Sequence, residues 1–376
     1  MVRSVMVLAS AATLAVGALV GVGCTQESGK GEMSGSGGTH AATPVAAGGQ
    51  DASQKAEALP ELAPAPEIPR APEHLPAVED PKDNPTTKEK AALGWLLFFD
   101  KRLSKDDSMS CSACHLPDKS FTDGRAVSPK VGGAMNTRNA PTMLNVAYGL
   151  TFYWDGRMPT LEKVCGAAWK GQLGAEDKGA VAAKLNKVPK YRAHFQRAFK
   201  SDATPDNVEQ ALAAFLRTLR SGNAPWDKFE AGDQAAVSKD AQKGFELFKN
   251  SGCTLCHVPP LYTDQMYHNV GVGSEKPEAE RDHGQKVASK DDKDEGKFKT
   301  PSLRDITDTG PFFHDGSVAT LAEAVDFMLN GGKKNPNLDQ NLKPKKLKPA
   351  DKKAIIAFLE SLQGEHTYTA APAELP

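Results

Sequence analysis

From about residue 86 onward, apolar side chains recur at the three-and-four spacing of amphipathic helices. Val208, Leu212, Phe215 and Leu219 fall on one face, as do Ile355, Phe358, Leu359 and Leu362. Leu321, Ala324, Val325 and Met328 stand at i, i+3, i+4 and i+7 behind Thr320-Leu321-Ala322-Glu323, which has the form of a capping box. Thr86-Thr87-Lys88-Glu89 has the same form, with Glu89 three after Thr86, and predicts a helix start there. Strand-like alternation is scarce, so the pattern predicts a mainly α fold.

The pattern also repeats. Ala91, Gly94, Trp95, Leu97 and Phe98 recur at identical spacing as Ala241, Gly244, Phe245, Leu247 and Phe248, and each copy leads into Cys-x-x-Cys-His. A duplicated unit of this kind predicts two similar domains in tandem, over 86–221 and 235–366. Ser221 to Gln234, with Gly222, Pro225 and Gly232, is the expected connection between them.

The first 85 residues lack this periodicity. Arg3 precedes an apolar run from Val5 to Val22, too short and too rich in Ala and Gly for a good membrane span, so 1–23 reads as a secretion signal. Cys24 follows Gly21-Val22-Gly23, small residues that resemble a bacterial lipoprotein cleavage site, where the thiol is lipidated; Gly21 departs from the larger aliphatic usual three before that Cys. Residues 24–85, rich in Gly, Ser and Ala and then in Pro, read as a flexible tether that cannot bury enough apolar area to offset chain entropy. With 46 basic and 47 acidic residues the formal net charge is −1. A general nucleic-acid or anionic-membrane binder would carry a basic excess, so both classes are excluded.

Six cysteines in 376 residues make no disulfide scaffold; their spacing is what informs. Cys111-Ser112-Ala113-Cys114-His115 and Cys253-Thr254-Leu255-Cys256-His257 carry the c-type haem attachment signature. Two intervening residues let Cys111 and Cys114, or Cys253 and Cys256, reach the two vinyl groups of one porphyrin, and His115 or His257 then lies under the iron. A redox disulfide or half a zinc site uses the same pair, but zinc needs further Cys or His pairs and none follows. The histidine after each pair, the duplication and the export signal favour two covalently bound haem c groups. Met328, on the core face of its helix, is either a core methionine or a sixth ligand, and thioether ligation favours Fe(II). His314 in Phe313-His314-Asp315-Gly316 is its rival.

These residues, with Leu96-Leu97-Phe98-Phe99-Asp100-Lys101-Arg102-Leu103-Ser104, Arg138-Asn139-Ala140-Pro141-Thr142, Trp154-Asp155-Gly156-Arg157, Leu303-Arg304, Thr309-Gly310-Pro311 and His314-Asp315-Gly316-Ser317, resemble the bacterial diheme cytochrome c peroxidase family over roughly residues 88 to 363. The resemblance implies a peroxide-reacting haem on His115 and an electron-accepting haem on His257 with Met328. It places Trp154 between the haems as a relay, Asn139 with the Thr309 and Pro311 carbonyls at an inter-domain Ca²⁺ site, and His314 near the C-terminal haem. It implies hydrogen peroxide as substrate, a small periplasmic cytochrome c or cupredoxin as donor, a periplasmic location and a homodimer. Any membrane contact would run through lipid on Cys24.

Three departures from the family stand out. Val131 occupies the position of the histidine that caps the N-terminal iron; no His occurs between residues 116 and 138, and Met135 is the one soft ligand nearby. Val164 and Gly174 occupy the positions of the distal Gln and Glu, leaving Gln172 and Glu176 as the nearest acid–base candidates, with Glu176 equally readable as a solvated helix-start acid. Cys165, beside Val164, has the character of a small buried hydrophobe. These departures keep two alternatives open. One is a non-catalytic diheme electron carrier. The other is a relative of the diheme enzyme that oxidises a partner protein, in which a Tyr stands where Met328 is.

Overall fold

The structure is a computed structural model and describes residues 58–376 apart from 69, 71 and 367–369. Cys24 and the apolar run before it lie outside the described residues. Ten α-helices and several short 3₁₀ turns account for the described regular structure, with four two-residue strands. The first half holds α1 (Lys88–Phe99), α2 (Leu161–Gly171), α3 (Lys178–Asn186), α4 (Pro189–Phe199) and α5 (Pro205–Leu216). Next come β1 (Ser221–Gly222), α6 (Pro225–Glu230) and α7 (Lys239–Asn250). The second half continues with β2 (Tyr267–His268), α8 (Lys286–Ser289), β3 (Phe298–Lys299), α9 (Leu321–Leu329), α10 (Pro349–Glu360) and β4 (Glu365–His366). β1 pairs antiparallel with β4, and β2 with β3.

The duplication is visible as two equivalent helix crossings. α1 meets α5 at Gly94, and α7 meets α10 at Gly244. A Cβ on Gly94 would lie 1.9 Å from the Ala211 carbonyl oxygen, and one on Gly244 1.9 Å from that of Ala354. Only glycine lets the backbones approach so closely. Beside each glycine the same aromatic pair packs: Phe98 on Phe215 at 5.3 Å, Phe248 on Phe358 at 5.2 Å. Each crossing anchors its own apolar core, one around Leu93, Leu97, Phe98 and Phe215, the other around Trp226, Phe248, Phe358 and Leu362.

Several sequence expectations are corrected. α1 is capped by Thr87, whose hydroxyl accepts from the Lys90 N–H, while the Thr86 hydroxyl donates to Asp80; Glu89 takes no part in a box. The box on α9 is present as expected, with Thr320 and Glu323 bonding each other's backbone N–H. Ser221 to Gln234 is not a free connection. It carries β1 and α6, and Trp226 is buried between Phe245 and Phe358 of the second core. Leu219 and Leu362 lie beyond the helices that hold their stripe-mates, yet both are fully buried. The end of the expected tether also rests on the fold: the Pro76 carbonyl accepts from Tyr148, the Ala63 carbonyl from Arg197, and Asn84 is buried against Glu162 and Lys90. Proline-rich chain lacks its own ladder, so its carbonyls remain free to accept from a neighbouring surface.

Candidate functional site

Both Cys-x-x-Cys-His segments form the same local structure. Cys111–Ala113 and Cys253–Leu255 are single 3₁₀ turns, closed by the Cys114 N–H to the Cys111 carbonyl and the Cys256 N–H to the Cys253 carbonyl, each at 3.3 Å. All four thiols are free, so neither pair is a disulfide. Burial pushes the Cys111 thiol up to about 12 and that of Cys253 up to about 11, and it raises Cys114 as well. Each pair thus offers the two unlinked thiols that thioether attachment of one porphyrin needs.

The histidines are oriented identically. His115 Nδ1 lies 2.9 Å from the Phe121 carbonyl oxygen, and His257 Nδ1 lies 2.9 Å from that of Tyr262. A carbonyl only accepts, so in both rings Nδ1 carries the proton and Nε2 keeps its lone pair. Burial lowers the pKa of both rings, which keeps them neutral. A backbone carbonyl behind Nδ1 is the usual device for aiming a metal-ligating imidazole. Phe121 (φ 58°) and Tyr262 (φ 54°) are both left-handed, and both side chains are fully buried. The strained turn that presents each carbonyl is thus held by packing.

Beside His257 lies a cavity of about 410 Å³ lined by Cys253, Cys256, His257 and, from α9, Met328. The wall is mostly apolar. Its size and lining fit a flat, largely apolar cofactor. Met328 therefore shares this cavity with His257. His314 also lines it, 4% exposed, with its ring stacked on Phe298 at 3.5 Å. Burial pushes its pKa down to about 4, so it is neutral at pH 7.

The cavity runs to the contact between the two halves. Trp154, Asn139, Thr309 and Pro311 all line it. The Trp154 indole N–H donates to the Asn139 carbonyl at 3.0 Å, and the Trp154 carbonyl accepts from the Lys299 N–H at 2.8 Å. The Asn139 N–H donates to the His314 carbonyl at 2.7 Å. Sequence reasoning missed the strongest tie across this contact. Arg138 pairs with buried Asp155 (2.8 Å) and with Asp282 (2.6 Å). An arginine beside Asn139 was legible as part of a matching stretch, but its two partners are 17 and 144 residues away.

The expected distal positions of the first half form a cluster of their own. Val131 and Gly174 are neighbours: a Cβ on Gly174 would lie 2.8 Å from Val131 Cγ1. The Val131 N–H donates to the Gln172 carbonyl at 2.9 Å. The Gln172 side chain donates to Asn136 at 3.2 Å, while its Oε1 is buried without a hydrogen-bond partner. Glu176 faces solvent and pairs with Lys170 at 3.0 Å. Met135 is 52% exposed. Val164 is partly buried on the first core, and Cys165 is buried near Cys111, its thiol raised well above the usual range by burial. Cys256, Asp264 and His268 cluster closely enough for a metal ion, but thioether formation would remove the Cys256 thiolate from that set.

Comparison with known proteins agrees with this arrangement. The family profile described as di-haem cytochrome c peroxidase matches residues 88–235. Cytochrome-c peroxidase IdrP1 of Denitromonas iodatirespirans is 38% identical over 320 residues, covering 77% of this chain and 85% of the relative. Methylamine utilization protein MauG of Methylorubrum extorquens is 37% identical over 308 residues, covering 80% and 85%. Among solved structures, a MauG-like protein associated with microbial copper homeostasis superposes with a TM-score of 0.73 at 32% identity, over 78% of this chain and 95% of that one.

Proposed function

The chain belongs to the di-haem cytochrome c peroxidase and MauG family, and on that premise we propose that it is an exported two-haem peroxidase reducing hydrogen peroxide to water. The balance takes one H₂O₂, two electrons and two protons to two waters. When bound, the haem irons supply the redox chemistry. The observation that carries the reading is the pair of locked histidines, one of which shares its cavity with a methionine. That asymmetry gives the two irons different work. Met328 would raise the potential of a haem held on His257, which would suit that half to accept electrons. His115 would hold the other haem, and since residues 116–138 contain no histidine to cap that iron, this haem would supply the reaction with peroxide.

The chain's own residues have these roles. Cys111, Cys114, Cys253 and Cys256 hold two covalent haem c groups, and His115 and His257 are the proximal ligands. Trp154, bonded at its indole to one half and at its carbonyl to the other, carries electrons between them. On the peroxide side no carboxylate stands beside Val131 or Gly174 among the described residues. Gln172 can hold a peroxide oxygen through its amide N–H groups, but an amide is no base at neutral pH. The proton of peroxide then leaves through water rather than through Glu176.

The same reading assigns Ca²⁺ to neutral oxygens of Asn139, Thr309 and Pro311, which share one stretch of wall. It places haem domains at 86–221 and 235–366, the protein in the periplasm, a lipid on Cys24, a small cytochrome c or cupredoxin as donor and a homodimer as the assembly. The test is peroxide turnover by the holo-protein with a reduced small cytochrome c and Ca²⁺ present. Turnover far above that of free haem is expected. Its absence, with both haems still reducible, would leave an electron carrier on a peroxidase scaffold.

A further inference from the structure

The cavity beside His257 is lined by three lysines, Lys299, Lys343 and Lys345, against one carboxylate, Asp339. That carboxylate is already bonded to His268 at 2.5 Å. The wall therefore carries a cationic excess, and among the described residues none of the three lysines forms a salt bridge. Lys343 is exposed and Lys345 half-buried, so water can solvate at least the first. Lys299 is held in place. It lies on β3, its N–H donates to the Trp154 carbonyl, its ammonium donates to the Thr151 carbonyl at 2.5 Å, and it sits 5.7 Å from the centre of the Phe152 ring.

No carboxylate pairs with Lys299 among the described residues. Burial alone acts on it, pushing its pKa down to about 8. Lys299 is half-buried, and a partly desolvated cation with no carboxylate beside it is stabilised by a bound anion. The haem that fits this cavity carries two propionates. We infer that Lys299 is the counter-ion of a propionate on the haem bound at His257, and that its charge favours the reduced state of that iron. Lys299 thus acts as a positioning and tuning residue at the point where electrons arrive. Its backbone N–H at the same time holds the Trp154 carbonyl.

The inference rests on haem occupying this cavity, not on peroxide turnover. Its test is a spectroelectrochemical titration of the holo-protein, with two haems per chain verified by pyridine haemochrome. At a fixed potential near the wild-type midpoint, K299Q and K299M should lower the Fe(II)/Fe(III) ratio of the C-terminal haem about tenfold, the size of one partly screened charge. K299R should restore the ratio to within about twofold, and the N-terminal haem should not move. A merely structural lysine predicts that Arg, bulkier and forked, behaves no better than Met. An unchanged ratio in K299M, or an equal shift in the N-terminal haem, overturns the inference. If K299Q takes up less than two haems, the ratio in K299R against that in K299M still separates charge from packing. The titration contains no peroxide, so a protein without turnover still decides it.

Discussion

At the residue scale, the separation between Met328 and Glu176 is one of burial. Met328 faces the cavity that holds His257. Replacing it by Ala should lower the midpoint of the C-terminal haem, because the thioether that stabilises Fe(II) is lost. An unchanged midpoint in a potentiometric titration would reduce Met328 to core packing. Glu176 has a side chain 75% exposed and a salt bridge to an equally wet lysine. Such a pair is worth little, and the carboxylate is no pocket base. E176Q should therefore leave steady-state peroxide turnover within about twofold of wild type, and a larger loss would return Glu176 to the mechanism.

At the element scale, the glycine crossings set the tolerance of each half. G94A and G244A each put a methyl group into a backbone carbonyl that cannot swing aside. Each should destabilise the protein by about 1–3 kcal/mol, read as a lower urea midpoint, with the helices forced apart. α4 carries a pH effect. His194 is held down to about 4 by burial first and by Arg197 and Lys190 after it. The Arg197 guanidinium donates to its Nδ1, which only a neutral ring accepts. The unfolded chain, with an ordinary histidine near 6.5, binds the extra proton between those values. Stability therefore falls as pH drops from about 6.5 to about 4. H194Q should flatten that part of a Tm-versus-pH curve, and an unaltered slope would contradict the assignment.

At the scale of the whole molecule, the two halves differ in what the proposed function assigns to each: Met328, which shares a cavity with His257, to the second, and Val131, a neighbour of Gly174, to the first. The as-isolated oxidised protein should accordingly show one low-spin and one high-spin haem by electron paramagnetic resonance. Peroxide should react without a prior reduction step, since no capping histidine has to leave. Two low-spin signals would mean that a ligand reaches the first iron from elsewhere. The contact between the halves is tied by Arg138 to Asp282, by the Lys299 N–H to the Trp154 carbonyl and by the Asn139 N–H to the His314 carbonyl.

Much of this was legible in order along the chain. The duplicated Ala-x-x-Gly helix, both Cys-x-x-Cys-His turns and the helix that bears Met328 are local patterns, and local spacing fixes helix faces and turn geometry within a few residues. What stood opposite those patterns was not legible. That Trp226 of α6 packs on Phe245 and Phe358, that Arg138 meets Asp282, and that Lys299 meets Thr151 and Trp154 all depend on chain folding back from tens of residues away. Periodicity carries no information about such partners, because burial and charge pairing are properties of the packed surface rather than of any one segment.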